Sequence, residues 1–140
     1  MKFKYSILFL YVITCIGIQS CFSNEKYILP EYNKPVTEIS IELSTLISFT
    51  NLSIRSKNEV TQETNPTAKL IIELEDAPLD LYTESQLERK SKDIARLIKK
   101  SIKNFNSFDL ITVLYTPNIP EYNSKESGLK VFAYRPSEIK

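Results

Sequence analysis

Glu73 and Glu75 stand two residues apart in the run Leu70-Ile71-Ile72-Glu73-Leu74-Glu75. In a strand, that spacing puts both carboxylates on one face about 7 Å apart. Carboxylate pairs at such separations hydrolyse glycans, one acting as acid and the other as nucleophile or base. Both residues come from a single strand, so the simpler reading is a solvated strand face. A second cluster is cationic. Lys90, Lys92, Arg96, Lys99, Lys100 and Lys103 share one helical stretch and offer a surface for anionic lipid headgroups or acidic polysaccharide. Glu88 and Asp93 balance it, which again favours a solvated face. A third group is aromatic: Tyr27, Tyr32 and Tyr122 fall in segments read as loops, where an exposed phenol suits protein contacts. Tyr32, Tyr122, Lys99, Lys100 and Lys103 are therefore the candidate partner contacts.

Other chemistry is argued down by composition. The chain has no histidine, the commonest general base and metal ligand. Its two glycines and two cysteines form no phosphate-binding loop, zinc cluster or nucleophile elbow. We therefore expect no catalytic residue, no metal and no cofactor. Asn51-Leu52-Ser53 fits a glycosylation sequon but is discounted on the source implied below.

Cys21 carries the most specific signal. Lys2 and Lys4 give a positive start, and an apolar run follows from Ile7 to Ile18 before polar residues begin at Ser23. A charged start, an apolar stretch of about 7–15 residues and a small residue at the cut is the layout of a secretory signal. The run is short for a bilayer span of about 20 apolar residues. Ile18-Gln19-Ser20-Cys21 resembles the lipobox of bacterial lipoproteins, with an aliphatic residue at −3, a small one at −1 and then the cysteine. Gln19 is bulkier and more polar than is usual there, and Cys15 fits less well because Thr14 precedes it. The resemblance covers residues 1–21. It implies that Cys21 takes a diacylglycerol on its thiol and becomes the new N-terminus. Each buried CH₂ contributes roughly 0.8 kcal/mol, so two or three chains would hold the protein on a membrane effectively permanently.

Cutting twenty residues from a chain of 140 leaves 120, enough for one small domain with its own core. Lys2 and Lys4 leave with the leader, so 16 basic residues face 17 acidic ones, a balance that argues against general nucleic-acid binding. Cys15 leaves too, and with Cys21 acylated no disulfide can form.

The elements that must position these groups read as follows. Residues 1–20 are a signal peptide and 21–35, with Pro30 and Pro35, a lipid-anchored tether dispensable for folding. Residues 36–140 form the domain. A short helix is expected near 37–48, although Ile39, Ile41 and Leu43 also alternate as a strand would. Strands follow at 52–56 and 68–76. A helix over 83–105 starts at a Thr83/Gln86 capping box and buries Leu87, Ile94, Ala95, Ile98, Ile102 and Phe105. Strands at 108–116 and 129–135 complete the set, with loops at 57–67 and 117–128. Leu29-Pro30-Glu31-Tyr32-Asn33 nearly repeats as Ile119-Pro120-Glu121-Tyr122-Asn123. No longer repeat surrounds either copy, and chance in a biased composition accounts for the match.

The expected fold is a small α+β domain: an antiparallel-dominated sheet of about four strands, hairpin–helix–hairpin, on one main helix. The expected function is that of a lipid-anchored, non-enzymatic binding or accessory module of the bacterial envelope, on the periplasmic side or cell surface. Its partners are the membrane and an envelope protein or glycan. The alternatives are a small inhibitor or immunity-type lipoprotein, and a carboxylate-dependent glycan hydrolase.

Overall fold

In the computed structural model, which describes residues 27–59, 67–117 and 128–140, helix α1 (Val36–Ser44) leads into strands β1 (Asn51–Glu59) and β2 (Thr67–Glu75). Helix α2 (Glu84–Ser101) and strands β3 (Leu110–Thr116) and β4 (Lys130–Tyr134) follow. The leader, Cys21, Tyr122 and the second Pro-Glu-Tyr-Asn copy lie outside the described residues.

The four strands form one α+β sheet in the order β1-β2-β3-β4. Both hairpin pairings are antiparallel and the central β2–β3 pairing is parallel. The 18 residues of α2 carry the chain roughly 27 Å back along the sheet, so β3 starts beside the start of β2 and not its end. Asp109 fixes that register. Its N–H donates to the Ala68 carbonyl at 2.8 Å, and its Oδ2 accepts from the Ala68 N–H, also at 2.8 Å.

Period-two burial runs the length of β2, with Ala68, Leu70, Ile72 and Leu74 buried. Ile111, Val113 and Tyr115 do the same on β3. Onto this face α2 lays the expected stripe of Leu87, Ile94, Ala95 and Ile98, continued by Ile102 and Phe105. The capping box forms as read: Thr83 Oγ1 accepts from the Gln86 N–H at 3.3 Å, and Gln86 Oε1 accepts from the Thr83 N–H at 2.8 Å. Helix α1 packs through Ile39 and Leu43 and leaves Ile41 69% exposed. That exposure decides the ambiguous segment, because a strand would have put all three residues on one face.

Several boundaries differ from expectation: β1 runs on to Glu59 where a loop was read from 57, α1 ends at Ser44 and not near 48, and β3 begins at Leu110 and not at 108. The helix read over 83–105 stops at Ser101, and Ile102 is extended at φ −120°, ψ 122°. Ile102 leaves the helix because it forms an antiparallel bridge with Tyr32. The tether read over 21–35 is likewise amended, since residues 27–35 are attached to the domain. The Asn33 N–H donates to the Ser101 carbonyl at 2.8 Å and the Lys103 N–H to the Glu31 carbonyl at 2.7 Å. Ile28 and Tyr32 pack against the core cluster.

Candidate functional site

The seam between residues 27–35 and the end of α2 brings together Tyr27, Tyr32 and Lys103 from the residues singled out in the sequence. A helix ends with four carbonyls lacking an intrahelical partner. Asn33 supplies donors to two of them: its N–H reaches Ser101, and its side-chain Nδ2 reaches the Lys100 carbonyl at 3.1 Å. Asn104 completes the seam from the other side. Its Oδ1 accepts from the Glu31 N–H at 2.9 Å and its Nδ2 donates to the Leu29 carbonyl at 2.7 Å. Neither asparagine was a candidate from sequence. The signal available was only that Asn is favoured where side chains must bond backbone.

The two tyrosines of this segment lie along the outer edge of β1. The Tyr27 hydroxyl donates to the Ser56 carbonyl at 3.1 Å and the Tyr32 hydroxyl to the Ile54 carbonyl at 3.4 Å. Unpaired edge carbonyls invite pairing with another chain, and these phenols occupy two of them. Burial pushes the Tyr32 hydroxyl above its ordinary pKa. Tyr32 is thus a structural contact on its phenol end. Beside the seam, Tyr27, Ile28, Leu29, Glu31, Asn104 and Ser107 line an open cavity of about 530 Å³.

The basic residues divide into two groups. Lys90 donates to the Leu46 carbonyl and sits 4.8 Å from the Tyr82 ring centroid, tying α1 to α2. Lys92 pairs with Glu88 at 2.8 Å. Arg96 pairs with Asp93 at 2.6 Å and donates through Nε to the Lys140 carbonyl at 2.7 Å. Lys99 donates to the Ile139 carbonyl at 2.6 Å. These four hold the fold. Lys100 and Lys103 are exposed, and their ammonium groups have no partner among the described residues. They stand at the C-terminal end of the helix, where a cation suits the dipole. The expected partner contacts Lys99, Lys100 and Lys103 therefore split: Lys99 is a tie to the last residues, and the other two are free at the seam.

The carboxylates lie on the opposite face of the sheet. Glu73 accepts from Arg55 at 2.9 Å and Glu75 from Asn51 Nδ2 at 3.2 Å. Each has a partner on β1, and such cross-strand pairs stabilise a sheet by roughly 0.2–1 kcal/mol. Among the described residues, no three His, Cys, Asp or Glu side chains gather to hold a metal. No helix among them is long and apolar enough to cross a membrane.

Inside the core, Ser91 and Tyr115 form the principal buried polar contact. Ser91 Oγ donates to the Leu87 carbonyl at 2.7 Å, which leaves the Tyr115 hydroxyl as donor to Ser91 Oγ at 2.9 Å. Burial pushes Tyr115 from 10.0 up to about 12. Tyr134 is raised as well, by burial first and then by the charge of Glu88. Both phenols are buried and hydrogen-bonded inside the fold, Tyr134 through its hydroxyl to the Glu88 carbonyl at 3.3 Å.

No protein family, curated protein or solved structure matches this chain. The fold and the seam are therefore interpreted on their own chemistry.

Proposed function

We propose that this chain is a lipid-anchored lipoprotein of the bacterial envelope, whose α+β domain works as a non-enzymatic binding or accessory module. The observation that carries this reading is Ile18-Gln19-Ser20-Cys21 at the end of a charged, apolar leader. The module part is supported by how the polar residues are used. Glu73 and Glu75 serve as cross-strand partners of Arg55 and Asn51, and four of the six cations singled out between Lys90 and Lys103 have partners within the fold. Lys100, Lys103 and the exposed parts of the 27–35 segment are among the surface left for contact with the membrane or a partner. The near-neutral balance of charge favours an envelope protein, a glycan or the membrane over nucleic acid.

The test is the mass of the N-terminal peptide from protein purified out of membranes. It should begin at Cys21 and carry a diacylglycerol. A peptide that begins elsewhere, or an unmodified Cys21, would overturn the reading. The non-enzymatic part is tested by screening the same protein against peptidoglycan and common polysaccharides. No turnover is expected, and turnover abolished by Glu73→Gln would replace the binding module with a glycan hydrolase.

A further inference from the structure

The leash between membrane and domain is short, and that sets which surface faces the bilayer. The sequence alone spaces the acylated cysteine fifteen residues from the start of α1. Tyr27 is attached to the domain, its hydroxyl bonded to the Ser56 carbonyl at 3.1 Å. Six Cα steps separate Tyr27 from Cys21, and at about 3.3–3.6 Å each they reach roughly 20 Å at full stretch. That is less than the roughly 27 Å length of α2, so the domain cannot turn its far end to the surface that holds Cys21 without leaving the leash behind.

The side chains at the leash's root suit a headgroup layer. Tyr27 is 59% exposed and Leu29 62% exposed, a phenol and an aliphatic group of the kind that settles at a membrane interface. Beside them stands the exposed cation of Lys103, which is attracted to an anionic surface. The hydrogen bonds Lys103 N–H to Glu31 and Asn104 Nδ2 to Leu29 hold these groups in one patch with Tyr27. Glu31 is the one acid among them.

We propose that this patch, formed by Tyr27, Leu29 and Lys103, lies against the headgroups of the membrane that carries the Cys21 lipid. The helix N-terminus and the Leu79–Leu81 turn then point away from it. The inference rests on the lipoprotein reading, and it commits the free face of the domain: a protein or glycan partner meets the end around Leu81, Thr83 and Glu84, not the seam.

The chain has no tryptophan, so a single introduced one reports its own position. Lys103→Trp and Leu81→Trp, both at exposed sites, would be expressed as the full chain and purified from membranes. Acylation is read first from the mass. Each protein is then placed in vesicles of phosphatidylglycerol and phosphatidylethanolamine with a dansyl label on a fraction of the headgroups. Energy transfer from Lys103→Trp should exceed that from Leu81→Trp severalfold, and Leu29→Glu should reduce the difference. Equal transfer from both positions in acylated protein would overturn the inference alone, and stronger transfer from Leu81→Trp would reverse the orientation. An unacylated chain would overturn both this inference and the proposed function.

Discussion

Asn33 and Asn104 do with side-chain amides what a neighbouring strand does with its backbone. Asn33 satisfies two carbonyls at the end of α2, and Asn104 accepts from and donates to the chain at Glu31 and Leu29. Each bond is worth about 1 kcal/mol net, so Asn33→Ala should lower stability to urea by roughly 1 kcal/mol, with an unchanged denaturant slope. Tyr115 makes a separate residue-scale prediction. The folded state holds its proton up to about 12, while the unfolded chain releases it near the ordinary value of 10. Between those values the unfolded chain binds fewer protons, so stability present below pH 10 is lost as pH rises toward 12. Tyr115→Phe should flatten that alkaline loss, measured as the urea midpoint at pH 9 and pH 11. A midpoint that falls equally in both proteins would place the titrating group elsewhere. Ser56 adds a third. Its side-chain oxygen is buried without a hydrogen-bond partner, so Ser56→Ala should leave stability unchanged or raise it by about 1 kcal/mol.

The elements that were legible in the sequence are those whose signal is local. The alternation of β2 and the stripe of α2 are read from residues two to four apart, and both elements appear where expected. The Thr83 cap is equally local. Segment 37–48 carried both periods, and only packing, through the exposure of Ile41, decides for the helix. What was not legible depends on distant partners. Asn33 meets Lys100 and Leu29 meets Asn104, pairs 67 and 75 positions apart in the sequence, and no periodicity in either segment announces the other. The proline content of 27–35 reads as a spacer because nothing local says what it binds. The same bridge ends α2 at Ser101, where the apolar stripe itself continues to Phe105. Two predictions belong to this scale. Ile98 is fully buried, so Ile98→Asp should cost roughly 4 kcal/mol or more and yield unfolded protein. Deleting everything before Lys34 removes the seam's hydrogen bonds and the Ile28 and Tyr32 contacts. It should cost roughly 2–4 kcal/mol and lower the melting temperature by roughly 10 °C. An unchanged melting temperature would show that the segment does not hold the fold.

For the whole molecule, the consequence of the seam is positional. A chain of ordinary composition and nearly balanced charge, 18 basic against 17 acidic residues, has little net charge with which to steer a partner from a distance. Its specificity must come from where it is held and which surface it shows. On the proposed lipoprotein reading, both follow from Cys21 and from the short distance in sequence to Tyr27. Location is then the central functional claim, and the α+β fold is the platform carried by it. The most direct measurement is metabolic labelling with an acyl probe in cells making either the wild type or Cys21→Ala. The account predicts label on the wild type and none on Cys21→Ala; equal label on both, or label on neither, would contradict it.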